Sequence, residues 1–192
     1  GSGQRALLPP RKGCDPSMET EKKQTGRCAG EENTEHADRA HLADLELVLQ
    51  QITCIDRAGS VDEIRAAIQL LLQAIGNYTG ADRAYIFEAT ENDARFSNSF
   101  EWCAAGVTSQ IGNLQAIRAE EMPVWHRRFL EGACIVIEDL AQVRVEMPLE
   151  YEMMKPQGIR AEIAFPIWHQ HRLLGFIGLD NPRIERARPM VD

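Results

Sequence analysis

Residues 158–182 read GIRAEIAFPIWHQHRLLGFIGLDNP. In the first half Ile163, Phe165 and Ile167 alternate with smaller or polar residues; in the second, Leu173 to Leu179 is almost unbroken apolar. The pattern predicts two strands joined at a polar tip, His169 to Arg172, and stopped by Asp180-Asn181-Pro182. A strand apolar on both faces belongs in the interior of its sheet, covered on each side. Gly175 and Gly178 add no side chain, so they either admit a helix or small ligand to the backbone or serve packing alone.

Working upstream, Pro148 to Lys155 is a brief helix with Leu149 and Met153 on one face, ended by Pro156 and Gly158, and Cys134 to Glu138 is a short apolar strand. A helix from about Glu121 to Glu131 has Pro123 in its first turn, Trp125 and Phe129 on one face and Gly132 as its stop. Arg83 to Ala89 and Arg95 to Cys103 read as a strand pair around the turn Glu91-Asn92-Asp93, the second alternating through Phe96, Phe100 and Trp102. Ser60-Val61-Asp62-Glu63 is a capping box opening a helix to about Asn77, whose apolar face is Ile64, Ala67, Ile68, Leu71, Leu72 and Ile75. Strand pairs, a helical crossover and a final strand pair predict an α+β fold: an antiparallel sheet with helices on both faces.

The spaced elements Phe100-Glu101-Trp102-Cys103-Ala104-Ala105-Gly106-Val107, Asn113-Leu114-Gln115, Trp125, Gly132 to Leu140 and the final hairpin, in this order, resemble a GAF domain over roughly residues 60–182. The resemblance is to GAF domains found ahead of histidine kinase or diguanylate cyclase modules in bacteria. It implies a GAF-like (profilin-like) sheet of five or six strands and a non-catalytic small-molecule-sensing and dimerisation module that biases an attached output domain. It names no ligand. In such relatives the ligand lies between the sheet and the segments crossing it, here Val107 to Phe129 and Asp139 to Gly158. Trp102, Trp125, Phe129, Glu162 and Phe165 are the candidate lining, aromatic walls with a polar group, although for each aromatic a place in the core is the favoured reading. Glu162, a carboxylate within an apolar strand, is either a pocket group or paired with an arginine such as Arg160 or Arg83.

Three GAF-type activities lack their residues here. No cysteine lies in Met154 to Arg160, where free methionine sulfoxide reductases carry one. No Cys-His dipeptide is present to link a bilin, and the Asn-Lys-Phe-Asp-Glu set of cyclic-nucleotide-binding relatives is missing. The alternatives are a ligand-free structural dimerisation domain and a cysteine-dependent redox enzyme. For the latter, Cys103 or Cys134 with His126 is the nearest nucleophile and base, and buried cysteine acting as a small hydrophobe competes with it.

The chain has 192 residues. Residues 1–36 lack Val, Ile, Phe, Tyr and Trp and read as a disordered, tag or linker segment. Gly1-Ser2-Gly3 looks vector-derived, with Met18 a candidate natural start. Residues 37–59 form an N-terminal connecting helix whose stripe Leu42, Leu45, Leu49 and Ile52 wants a partner, either the domain's own sheet or its copy in a homodimer. Residues 60–182 are the domain, and 183–192 begin a linker towards the output domain.

Of 21 basic and 29 acidic residues, seven of each fall in residues 1–40, so the whole net charge of −8 belongs to the body. Such a body repels phosphate backbones and anionic membranes, which argues against nucleic-acid or membrane partners. With no long apolar run and an odd set of five cysteines, a reduced, cytoplasmic protein without cofactor or metal is expected. Cys14, Cys28, His36 and His41 are too widely spaced for a compact zinc motif, and His169 with His171 lack a third ligand.

Overall fold

A computed structural model describes residues 46–90 and 94–187. The tail 1–36, the Cys14, Cys28, His36 and His41 set, Leu42 and Leu45, the turn at 91–93 and residues 188–192 lie outside the described residues. Helix α1, residues 46–57, precedes α2 (Val61–Thr79). The capping box forms as expected: the Glu63 amide donates to the Ser60 hydroxyl, and the Gly59 amide donates to the Glu63 carboxylate. Gly80, left-handed with φ 64°, closes α2.

Six strands follow: β1 (Arg83–Thr90), β2 (Arg95–Cys103), β3 (Ile117–Arg118), β4 (Ile135–Ile137), β5 (Glu162–His169) and β6 (Arg172–Asp180). All pairings are antiparallel, in the order β3-β2-β1-β6-β5-β4, so the apolar strand β6 is interior. Between β3 and β5 the chain makes α3 (Pro123–Leu130) and α4 (Pro148–Met154), and α5 (Ile184–Ala187) follows β6. The α+β antiparallel sheet with helices on both faces is therefore the observed fold. On one face α2 packs Leu72 and Ile75 against Ala84, Leu179, Phe100 and Trp102; the other carries a larger core with α3 and α4. At its centre is Phe176 of β6, stacked on Phe87 at 4.7 Å and tilted against Phe129 at 4.9 Å.

Two irregularities decide which side chains face which layer. Ile86 opposes Phe100 but Phe87 opposes Asn98, so Ser99 is an extra residue, a β-bulge. Strict alternation would put Phe96, Phe100 and Trp102 on one face. The bulge keeps Phe96 with the α3–α4 core, moves Phe100 and Trp102 under α2, and turns Glu101 to the α3–α4 side. The second lies in the final hairpin, where Ile167 opposes Gly175 but Trp168 opposes Leu173, so Leu174 is an extra residue of β6 and Leu173 joins Phe176 in the α3–α4 core. At the hairpin tip His169 pairs with Arg172, and Gln170 (φ 45°) and His171 (φ 66°) are both left-handed, the geometry of a two-residue type I′ turn.

The two β6 glycines serve neighbouring strands rather than a helix or ligand. A Cβ on Gly175, at φ 150°, would run into the Phe87 carbonyl, and the space above Gly178 is filled by the Tyr85 ring.

Candidate functional site

Between the sheet and the α3–α4 layer is a cavity with about 500 Å³ of atom-free space, its mouth included. Its floor is Arg83, Tyr85 and Phe87 of β1, Glu101 of β2, Glu162 of β5, and Phe176 and Asp180 of β6. Leu114, Ile117, Met122 and Trp125 form one wall, and Glu150, Met153, Met154, Gln157 and Ile159 the other. Most of this surface is apolar, yet Arg83, Glu150, Glu162 and Asp180 on it are deeply buried.

On the floor, Arg83 Nε pairs with Asp180 Oδ2, both side chains almost wholly buried. The rest of the guanidinium donates to the carbonyls of Thr108 (3.1 Å) and Gln157 (3.2 Å), fastening both covering segments to β1. Arginine suits this position because its planar fork offers several donors at once. Tyr85, whose ring crosses β6 over Gly178, donates its hydroxyl to Glu162 Oε1. Glu162 is fully buried, and burial drives its pKa well above the ordinary range; the Asp180 charge and a hydrogen bond between the two carboxyl groups push the same way. Glu162 Oε2 and Asp180 Oδ1 are buried and have no partner among the described residues. The same burial, then the neighbouring carboxyls, raise the Tyr85 phenol well above its usual value.

On the β2 side, Glu101 organises the loop after the strand: its carboxylate accepts from Asn98 Nδ2, the Ser109 hydroxyl and the amides of Gln110 and Ile111. On the opposite wall Glu150, 2% exposed, accepts from the amides of Val124 (2.7 Å) and Trp125 (3.2 Å) and so caps α3 from another helix. Its second oxygen, Oε2, has no partner among the described residues, and neither has Nε1 of Trp125.

Of the candidate residues, Trp125 and Glu162 meet at this cavity. Phe129 lies behind it, fully buried against Phe176 and Trp125. Trp102 is on the other face, its indole against the α2 backbone at Gly76, because of the bulge at Ser99. Phe165 is opposite Ile177, on the α2 side, since Glu162 takes the cavity-facing parity of β5. Glu162 is partnered by Tyr85 rather than by Arg83 or Arg160. The buried face of α4 is Glu150, Tyr151 and Met154, while Leu149 is half exposed. Tyr85 and Glu150 were missed; the only signal for Glu150 was its position three residues before Met153 and four before Met154, on an otherwise apolar short helix. Cys103, beside Glu101, has its thiol pKa pushed up to about 11, first by burial and then by that carboxylate, which leaves it protonated and a poor nucleophile at neutral pH. Among the described residues no group of three or more His, Cys, Asp or Glu is placed to hold a metal ion.

A family model of the GAF domain matches residues 63–189. The chain belongs to the GAF domain family. This GAF domain is 32% identical over 123 residues, 60% of the chain, to the methanogenesis regulatory histidine kinase FilI of Methanothrix harundinacea, of which it spans only 13%. Its fold is similar to the phycoerythrobilin-bound GAF domain of a cyanobacterial phytochrome (TM-score 0.58, 15% identity, 78% of this chain and 90% of that one). It is also similar to the chromophore-binding domain of the Stigmatella aurantiaca bacteriophytochrome (TM-score 0.54, 16% identity, 73% and 51% covered). The likeness to the two phytochromes is one of fold alone.

Proposed function

We propose that this GAF domain is a non-catalytic sensory module of a signal-transduction protein, in which a small molecule bound between the sheet and the α3–α4 layer biases an attached output domain. The single observation that carries this reading is the cavity itself: apolar walls with buried polar atoms, Glu150 Oε2 and Trp125 Nε1, that have no partner among the described residues. Buried polar groups are normally paired, and unpaired ones lining a cavity point to a ligand or ordered water. The relative FilI supports a histidine-kinase output. A bilin, as held by the phytochrome GAF domain, is disfavoured here because the sequence has no Cys-His dipeptide.

The route to the output domain starts on the cavity floor. Asp180 is followed directly by Asn181, whose side chain accepts from the amides of Arg160 and Ala161, and the Arg183 amide donates to Thr79 at the end of α2. A ligand that prefers one arrangement of Arg83, Asp180 and Glu162 changes the balance of α5 against α2 by its differential affinity. Dimerisation is part of the same reading: Val48 of α1 packs on its own domain, but Leu49 and Ile52 are 64% and 50% exposed and suit the same helix of a second copy. No helix among the described residues is long and apolar enough to cross a membrane, and a cytoplasmic location fits this role.

The test is a thermal-shift screen of small metabolites on the full chain, since a ligand binding only the folded form raises the melting temperature. Hits whose shift disappears in Trp125→Ala support the reading. A screen in which no compound raises the melting temperature, or in which every hit survives that change, rejects it.

A further inference from the structure

The polar inventory of the cavity limits what it can hold. The Glu101 carboxylate is engaged by three side chains and two loop amides, and Asp180 by Arg83. Glu162 is held between Tyr85 and Asp180 and is neutral when it keeps its proton. That leaves three carboxylates, Glu101, Glu150 and Asp180, against the single guanidinium of Arg83 around one space. A carboxylate or phosphate ligand entering there would meet uncompensated like charge, while a cation would offset it. On the walls, away from the Glu162 and Asp180 pair, two buried groups have no partner among the described residues: Glu150 Oε2, an acceptor, and the Trp125 indole N–H, a donor on the same helix end that Glu150 caps. The rings of Trp125, Phe87 and Phe176 add apolar lining for the body of a ligand.

We infer that the ligand is a small organic amine in its ammonium form, with an apolar body and an oxygen acceptor: the ammonium donates to Glu150 Oε2, and the oxygen accepts from Trp125 Nε1–H. This rests on the reading of the cavity as the sensory pocket and adds to it the charge and donor pattern of the occupant. A carboxylate in place of the ammonium places like charge against Glu150 and is rejected.

The experiment uses three probes that share a phenyl ring and a benzylic hydroxyl but differ at the remaining group: 2-amino-1-phenylethanol (ammonium), 1-phenylethanol (methyl) and mandelate (carboxylate). Binding is read on the full chain from the indole N–H resonance of Trp125, identified by its disappearance in Trp125→Phe. The amine is expected to move that resonance and to bind at least about tenfold more tightly than mandelate. Glu150→Gln keeps a carbonyl to cap α3 but removes the charge; it should weaken the amine about tenfold or more, as loss of a charged hydrogen bond does, and leave 1-phenylethanol unchanged. Mandelate or 1-phenylethanol binding at Trp125 as tightly as the amine, or a Glu150→Gln variant that binds the amine as well as wild type, overturns the amine assignment and leaves the pocket standing. Silence of the Trp125 resonance towards all three probes overturns both.

Discussion

Replacing Glu162 by Gln isolates the proton held on the cavity floor. Gln matches the protonated carboxyl in shape: its carbonyl can accept from the Tyr85 hydroxyl and its amide can donate to Asp180. In wild type the folded state keeps a proton that the unfolded chain releases above about pH 4.5, because burial and the Asp180 charge raise the folded pKa. This contribution to stability is fully present below the unfolded pKa and is lost as pH rises towards the folded one, at about 1.4 kcal/mol per pH unit. As pH rises above 5, wild type therefore loses stability along this slope until the folded pKa is reached, and the variant does not. Urea unfolding of both proteins at half-unit pH steps measures the difference, in which titrations common to both cancel. The variant should gain on wild type steadily over this range. Parallel stability curves, or a variant that loses ground as pH rises, would refute the claim that Glu162 is buried in its neutral form.

Arg83→Met should destabilise by about 3–5 kcal/mol in urea unfolding, because it leaves Asp180 buried and uncompensated, and adding Asp180→Asn should restore part of the loss; strictly additive losses would contradict the pairing. Gly178→Ala should cost about 1–3 kcal/mol, since its Cβ falls on the Tyr85 ring, and should cost clearly less in a Tyr85→Leu background; an equal cost in both backgrounds rules out that contact. Gln170→Asn with His171→Gly at the type I′ turn should stabilise by about 1–2 kcal/mol, read as a higher melting temperature, and a lower one argues against the left-handed tip. Alkylation of Cys103 by iodoacetamide should keep rising tenfold per unit between pH 8 and 9.5, as a thiol with pKa about 11 requires; a plateau in that range would refute it.

The sequence alone determined the periodic elements and their layering. Alternation in 158–182 marked the final hairpin, the unbroken apolar run marked β6 as interior, and Ser60 with Glu63 marked the start of α2, because each rests on side chains a few residues apart. The family resemblance rested on the same local motifs. Glu162 stood out since a lone carboxylate in an apolar strand demands a partner, and Trp125 since it shares a helix face with Phe129. What tertiary structure alone decided is where those side chains point and what they meet. One extra residue at Ser99 reverses the facing of the end of β2, which sends Trp102 under α2 and brings Glu101 to the cavity, and no local pattern announces it. Tyr85 reaches Glu162 across β6 only because Gly178 leaves room, and Arg83 meets Asp180 only through antiparallel pairing of strands 97 positions apart. Glu150 becomes a buried cap because α4 docks beside the start of α3. Burial and charge at the cavity depend on such distant neighbours, so the chemistry of the site was set by packing, while the order of its elements was already written in the chain.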